Sequence, residues 1–194
     1  MRIATLILGL LLIATSAFAG KAPAEYPDYV QMVHERQGGD TIDDCTAIDV
    51  IPFSGSGTTV GYVDNYDEVC YYTNSTSPDV VYCIVPCETG ELQISLCYAP
   101  TDYDTKLDVY DVNMNLVKCN DDWCSTPVSF VSELTDASAG DPLFGPVPVN
   151  EGDTYYIVVD GYGGSLGNYG LEISGMDCTT PAESMEWGQV KSLY

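Results

Sequence analysis

Eight cysteines constrain this 194-residue chain more than any other feature. All of them follow residue 44, and their even number is typical of a disulfide framework in a protein exported to an oxidising compartment. About 105 complete pairings of eight cysteines are possible. Two are favoured: Cys119–Cys124 would close a short turn, and Cys45–Cys178 would tie the ends of the domain together. The sequence therefore predicts a disulfide-stapled domain.

Cys83 and Cys87 also admit a second interpretation, because zinc sites use closely spaced cysteine pairs. The chain's single histidine, His34, is distant in sequence, and exported thiols usually oxidise, so a disulfide role is favoured. The lone histidine also weighs against Ser-His-Asp, Cys-His and histidine-ligated metal chemistry.

The first 19 residues resemble an export signal. Arg2 precedes an apolar run over 3–13, and a small-x-small cleavage pattern ends at Ala19. We expect a signal peptide over 1–19, an N-terminal arm over 20–39, one domain over 40–178 and a linker and tail over 179–194. No later segment approaches the roughly 20 apolar residues that a membrane span needs. The predicted location is extracellular or on the cell surface.

The formal net charge of −23 limits the partners of the protein. Such a charge repels nucleic-acid phosphates and releases no counterions from them, so nucleic acid is excluded as a partner. Divalent cations and basic surfaces are favoured, although acidity also serves to keep an exported protein in solution.

Strand signals dominate the region after residue 40. Runs rich in Val, Ile, Tyr and Thr alternate with Gly, Asn, Asp and Pro clusters, a pattern that predicts an all-β fold with a single antiparallel β-sandwich. The alternation around Leu107 and Val109 places these two side chains on the core face. The apolar run over 155–159 predicts either a central strand whose second face is also covered or a strand that lines the sandwich core. The predicted strands are 79–85, 92–98, 106–111, 116–119, 154–160 and 169–174.

Five motifs, taken in order, resemble the bacterial pre-peptidase C-terminal domain family. They lie at 39–48, 78–82, 103–111, 119–122 and 152–162. The resemblance implies a jelly-roll-like β-sandwich of the kind often attached to secreted peptidases, some members of which bind calcium, collagen or other polymers. It also implies a calcium site, with Asp40 and Asp79 at the positions that hold the ion in calcium-binding members.

A second acidic cluster is expected at one end of a hairpin. Asp102 and Asp104 precede the strand at 106–111, and Asp121 and Asp122 follow the next strand, so the hairpin brings both pairs to the same sheet end. Converging carboxylates are ligands that calcium prefers. The alternative is that Asp104 and Asp121 are turn residues that bond their own backbone.

Two motifs, one for metal binding and one for catalysis, are weighed and set aside. The pattern Asp111-x-Asn113-x-Asn115 matches part of an EF-hand loop, but leucine stands where that loop needs glycine, and a hairpin tip fits better. The pattern Gly-x-Ser-x-Gly over 163–167 lacks the strand–helix context of a nucleophile elbow. A glycosidase that uses two carboxylates remains as a weaker alternative.

The predicted function is a secreted, non-catalytic binding or accessory module, stabilised by calcium, for extracellular polymer or protein surfaces. The alternative is a structural subunit of an extracellular filament or surface layer, formed by self-assembly through the arm. Fifteen tyrosines suit carbohydrate stacking or protein contacts, or simply pack at sheet edges.

Overall fold

The computed structural model describes residues 37–68, 70, 76–125, 132–135 and 145–178. The predicted signal peptide, most of the arm and the tail lie outside these residues. The described chain is all β, as predicted. Its strands are β1 (Thr46–Ile48), β2 (Ile51–Thr58), β3 (Val80–Ile84), β4 (Gly90–Tyr98), β5 (Thr105–Asp111), β6 (Leu116–Asn120), β7 (Glu133–Leu134), β8 (Val147–Val149), β9 (Tyr155–Gly161) and β10 (Asn168–Cys178).

The strands form two five-stranded sheets that enclose one core. The first has the order β1-β3-β9-β5-β6, and the second has the order β2-β10-β4-β7 with β8 also paired to β4. Every pairing is antiparallel except that of β1 with β3. The β-sandwich is thus confirmed, whereas the jelly-roll topology stays a prediction.

The core lies between the two sheets, where apolar residues of both meet. Leu107 and Val109 of β5 are buried in it, as the alternation predicted, together with Leu171 and Ile173 of β10. The six predicted strands are all present, with ends shifted by one to a few residues. The four missed strands β1, β2, β7 and β8 are either short or rich in glycine and serine, so they carry little of the apolar signal.

The first sheet is also covered on its outer face, as one of the two interpretations of the run over 155–159 predicted for the central strand β9. A small second core there includes Val81, Tyr110 and Val158. The segment over 59–68 contributes Tyr66, whose ring lies 6.4 Å from that of Tyr110. Because this segment, called the covering segment below, packs on the sheet, polar side chains on the outer face are removed from solvent.

All eight cysteines form disulfides, but neither favoured pairing is correct. The bridges are Cys45–Cys83, Cys70–Cys119, Cys87–Cys178 and Cys97–Cys124. Cys45 lies next to β1, and the parallel pairing of β1 with β3 brings Cys83 close to it. Cys45 is therefore bonded to Cys83 and not to Cys178. Cys119 lies on the outer face of β6 and is bonded to Cys70, two residues beyond the segment over 59–68, and not to Cys124. The zinc interpretation of Cys83 and Cys87 is also wrong, because each sulfur is bonded to a different partner.

Candidate metal centre

The candidate site lies on the outer face of the first sheet, at the end where β5 begins. Because Leu107 and Val109 face the core, Lys106 and Asp108, which alternate with them along β5, face outward. Lys106 is paired with Asp160 of β9, and the pairing of Leu107 with Asn120 places Asp121 on the other side of Lys106. One lysine therefore stands between aspartates from two neighbouring segments.

These charged side chains are buried to an unusual degree. Lys106, Asp108 and Asp160 have no exposed surface, and Asp121 is 1% exposed. The covering segment excludes the solvent: the Lys106 ammonium donates a hydrogen bond to the Glu68 carbonyl oxygen at 3.2 Å. It also lies 3.7 Å from Asp121 Oδ2. A buried charge needs such partners, because its removal from water is costly.

A cluster of three aspartates lies at the edge of these buried charges, and we call this cluster the mouth. It consists of Asp104, Asp121 and Asp122. One carboxylate oxygen from each lies within 4.8 Å of the others. Asp104 precedes β5 and the other two follow β6, so the hairpin brings them together at the sheet end that the sequence predicted. Asp102 does not join them. Its carboxylate instead accepts hydrogen bonds from the Asn168 backbone N–H at 2.7 Å and from Asn168 Nδ2 at 2.9 Å.

Several buried oxygens of the cluster have no hydrogen-bond donor. They are Asp104 Oδ1, both oxygens of Asp108, and Asp121 Oδ2. Buried polar atoms are nearly always satisfied in folded proteins, and a carboxylate that lacks a donor is a place where an ion or a proton fits. The turn interpretation leaves Asp104 Oδ1 without a hydrogen-bond donor and Asp121 Oδ2 with only the Lys106 ammonium, 3.7 Å away.

Burial shifts the acidity of the cluster. Desolvation raises the pKa of Asp104 to about 6, and the neighbouring charge of Asp122 adds to the effect. Desolvation likewise raises the pKa of Asp121 to about 7, against the opposing effect of Lys106. It raises the pKa of Asp108 to about 8. The carboxylates therefore repel further negative charge and favour either protons or a cation.

The donor set of the mouth suits calcium. Calcium takes six to eight oxygen ligands, from carboxylates, carbonyls and water, in flexible geometry. Three carboxylates that approach one another from two loops meet that requirement in part, and the exposure of Asp122 leaves room for water ligands. Three unneutralised carboxylates at this separation would repel one another.

Asp40 and Asp79, the positions implied by the family resemblance, do not join the mouth. Both instead hold the loop at 63–66. Asp79 Oδ2 accepts hydrogen bonds from the backbone N–H groups of Asn65 at 2.8 Å and Tyr66 at 2.9 Å. Asp40 Oδ1 accepts one from the Val63 N–H at 2.8 Å. Among the described residues, neither belongs to a group of three converging metal ligands.

Asp79 nevertheless has features that are typical of a metal-binding residue. Its side chain is fully buried, and Oδ1 has no hydrogen-bond donor. Desolvation raises its pKa to about 7, and the charges of Asp64 and Asp40 contribute in the same direction. The backbone hydrogen bonds on Oδ2 oppose the shift. Asp79 is therefore a loop anchor in this structure, and calcium at Asp40 and Asp79 stays a prediction.

The other motifs take the positions that the sequence predicted. Asn113, Met114 and Asn115 form the tip of the β5–β6 hairpin, where Met114 has a φ of 60°. The Gly-x-Ser-x-Gly pattern lies in the turn between β9 and β10, so strands flank it on both sides. It therefore lacks the strand–helix geometry of a nucleophile elbow.

A cleft of about 320 Å³ lies near the opposite end of β5, beside this hairpin tip. Carboxylates and amides line it together with apolar side chains, a mixture that suits a polar ligand with apolar faces. Its lining residues are Asp111, Val112, Asn113, Val117, Pro148, Asn150, Asp153, Thr154 and Tyr155.

Sequence reasoning missed Lys106, Asp108 and Asp160 as members of the buried layer. The signal available was the placement of charged residues inside two otherwise apolar strands, but alternation alone assigns such residues to solvent. Only the covering segment, which has no strand pattern of its own, turns that solvent face into an interior.

Comparison with known proteins adds no family to this description. The chain matches no protein-family model, and a search of curated proteins finds no similar sequence. The resemblance to the pre-peptidase C-terminal domain therefore stays a prediction. Within the described residues, no helix has the length and hydropathy that crossing a membrane requires.

Proposed function

We propose that the protein is a secreted, non-catalytic binding or accessory module whose β-sandwich is stabilised by calcium at Asp104, Asp121 and Asp122. The observation that carries the proposal is the convergence of one oxygen from each of these residues within 4.8 Å, at a partly buried sheet end. Export of the chain by its first 19 residues fits the four disulfides, which are typical of oxidising compartments.

Thermal unfolding with calcium and with chelator tests the metal role. An ion that binds only the native state stabilises it by about 2.7 kcal/mol at one hundred times its dissociation constant. The parent protein should therefore unfold at a higher temperature with calcium, and Asp104→Asn and Asp122→Asn should lose this response. Asp49→Asn is the matched control, because it removes one exposed carboxylate far from the cluster in sequence.

The set of variants that lose the calcium response also shows which of the two acidic clusters binds the ion. Loss of the calcium response in Asp79→Asn, with Asp104→Asn and Asp122→Asn unchanged, would move the ion to the site implied by the family resemblance. A parent protein that shows no response to calcium would contradict the metal proposal altogether.

The cleft beside the hairpin tip supports the binding part of the proposal. Exposed polymers offer hydroxyl groups and flat apolar faces, and the cleft combines carboxylates and amides with Val112 and Tyr155. Retention of the protein on collagen, chitin or cellulose should fall in Val112→Glu, since this side chain is 58% exposed and the added charge would occupy the cleft. Equal retention of parent and variant, or none on any of the three, would contradict a binding role for the cleft.

A further inference from the structure

We propose that Lys106 and Asp121 become joined by an intramolecular amide bond between Lys106 Nζ and Asp121 Cγ. Such a bond would be a covalent cross-link between β5 and the end of β6, additional to the four disulfides. It is independent of whether the protein binds calcium.

The two side chains are held in contact inside the protein. Lys106 Nζ lies 3.7 Å from Asp121 Oδ2, and the side chains are 0% and 1% exposed. They stand opposite each other because β5 and β6 pair through Leu107 and Asn120, one residue away from each. The strand pairing fixes the two groups next to each other, and fixed proximity of this kind favours a reaction between them.

The surroundings favour the neutral product over the ion pair. In water an ammonium and a carboxylate are strongly hydrated, and amide formation from them is opposed. Inside a protein the desolvation of both ions weakens that opposition, since neutral groups are far less costly to bury than charges. The segment over 59–68 and the neighbouring Cys70–Cys119 bridge cover this part of the sheet, where Lys106 and Asp121 are buried.

The reaction balances without an oxidant or a cofactor. The ammonium passes one proton to the carboxylate, which gives an amine and a carboxylic acid. The lone pair of Nζ then attacks Cγ, the C–N bond forms, and the C–OH bond breaks. One of the two protons on nitrogen leaves with the hydroxyl and the amide nitrogen keeps the other, so that one water molecule is released for each bond formed.

Asp108 is placed to carry the protons. It lies two residues beyond Lys106 on the same face of β5, is fully buried, and has no hydrogen-bond donor on either oxygen. Burial raises its pKa to about 8, so it holds a proton at neutral pH. Its carboxyl group interacts electrostatically with both Lys106 and Asp121, so it is the candidate general acid and base for the reaction.

The amide would be compatible with an ion at the mouth. Asp121 keeps one oxygen as an amide carbonyl, which calcium accepts as a ligand. The cross-link also removes the positive charge of Lys106, which would otherwise repel a nearby cation.

Mass spectrometry of the purified mature protein tests the bond. After complete reduction of the disulfides, the intact chain should be lighter than its sequence mass by one water molecule. Trypsin cleaves after Lys118, which lies between the two partners. Two peptides on either side of that cleavage should therefore stay joined, and fragmentation should place the junction at Lys106 and Asp121.

Matched variants assign the bond to this pair. Lys106→Arg and Asp121→Ala should both restore the full sequence mass, whereas Lys118→Arg, the same chemical change on β6, should remain lighter by one water. Asp108→Asn should contain a smaller linked fraction. If Lys106→Arg fails to fold, the presence or absence of the joined peptide in a digest of the parent protein still tests the proposal. A parent chain of full mass, with Lys106 and Asp121 recovered in separate peptides, would overturn the proposal.

Discussion

Single buried acids account for much of the electrostatics of this protein. Asp79, Asp108, Asp121 and Asp160 are nearly or fully buried, although the chain carries 29 acidic and only six basic residues. Lysine and aspartate are rarely fully buried unless they are paired. These buried carboxylates therefore lower the stability of the fold unless protons, Lys106 or a bound cation neutralise their charge.

Asp108 makes a testable contribution to the pH dependence of stability. Burial raises its pKa from 3.8 to about 8, so between those values the native state keeps a proton that the unfolded chain releases. The free energy of unfolding should therefore fall as pH rises from 4 to 8, by at most about 1.4 kcal/mol per pH unit for one group. Guanidinium unfolding at a series of pH values, with disulfides intact and chelator present, measures this slope.

The Asp108→Asn variant removes that titration while it keeps the size of the side chain. Its free energy of unfolding should decline less steeply between pH 4 and pH 8 than that of the parent. Asp49→Asn should keep the parental slope, because its side chain is exposed. Identical slopes for the parent and Asp108→Asn would show that Asp108 is ionised in the native state.

Elements differ in how much of their structure the sequence can predict. The strands β3 and β9 carry contiguous Val, Ile and Tyr, and β5 alternates Leu107 and Val109 with polar residues, and so these strands were predicted. The hairpin of β5 and β6 was predicted as well, and with it the meeting of Asp104, Asp121 and Asp122. The glycine- and serine-rich β2 was missed, because its place in the sheet depends on pairing with β10 and not on local propensity.

Side-chain roles on the outer face could not be predicted for a physical reason. Alternation predicts which face a residue occupies, but the environment of that face depends on what packs against it. The segment over 59–68 is held there by contacts distant in sequence, such as the hydrogen bond from the Ile42 N–H to the Tyr66 hydroxyl at 2.9 Å. The disulfide pairing depends on the same long-range packing.

The irregular part of β10 makes a prediction at the scale of the element. Gly175 lies where the register of β10 against β2 shifts, between Ile173 and Cys178, and has a φ of 104°. A Cβ atom there would lie 2.3 Å from the backbone oxygen of Glu91 on β4. Gly175→Ala should therefore combine backbone strain with a clash that β4 can relieve only by moving.

A matched glycine separates the two effects. Gly164 also has a positive φ, of 86°, but a Cβ atom there would meet nothing within 4 Å. Gly164→Ala should lower the free energy of unfolding by about 1–2 kcal/mol from backbone strain alone. Gly175→Ala should lose clearly more in the same chemical denaturation experiment. Equal losses would mean that the approach of β10 to β4 is not tight in solution.

At the scale of the molecule, two of the disulfides connect the two sheets, which share no strand pairing. Cys87–Cys178 joins the chain after β3 to the end of β10 and spans 91 residues. Cys97–Cys124 joins β4 to the segment after β6 and spans 27 residues. Cys45–Cys83 and Cys70–Cys119 attach chain segments to the first sheet.

These spans predict an order of stabilities. If a bridge acts mainly by restricting the unfolded chain, its contribution grows with the logarithm of the loop that it closes. Replacing Cys87 and Cys178 together by serine should lower the free energy of unfolding by about 4–5 kcal/mol, whereas replacing Cys97 and Cys124 should lower it by about 3–4 kcal/mol. Guanidinium unfolding under non-reducing conditions measures both values. A larger loss from the shorter loop would indicate that native packing around Cys97–Cys124, and not the entropy of the unfolded chain, sets the contribution of these bridges.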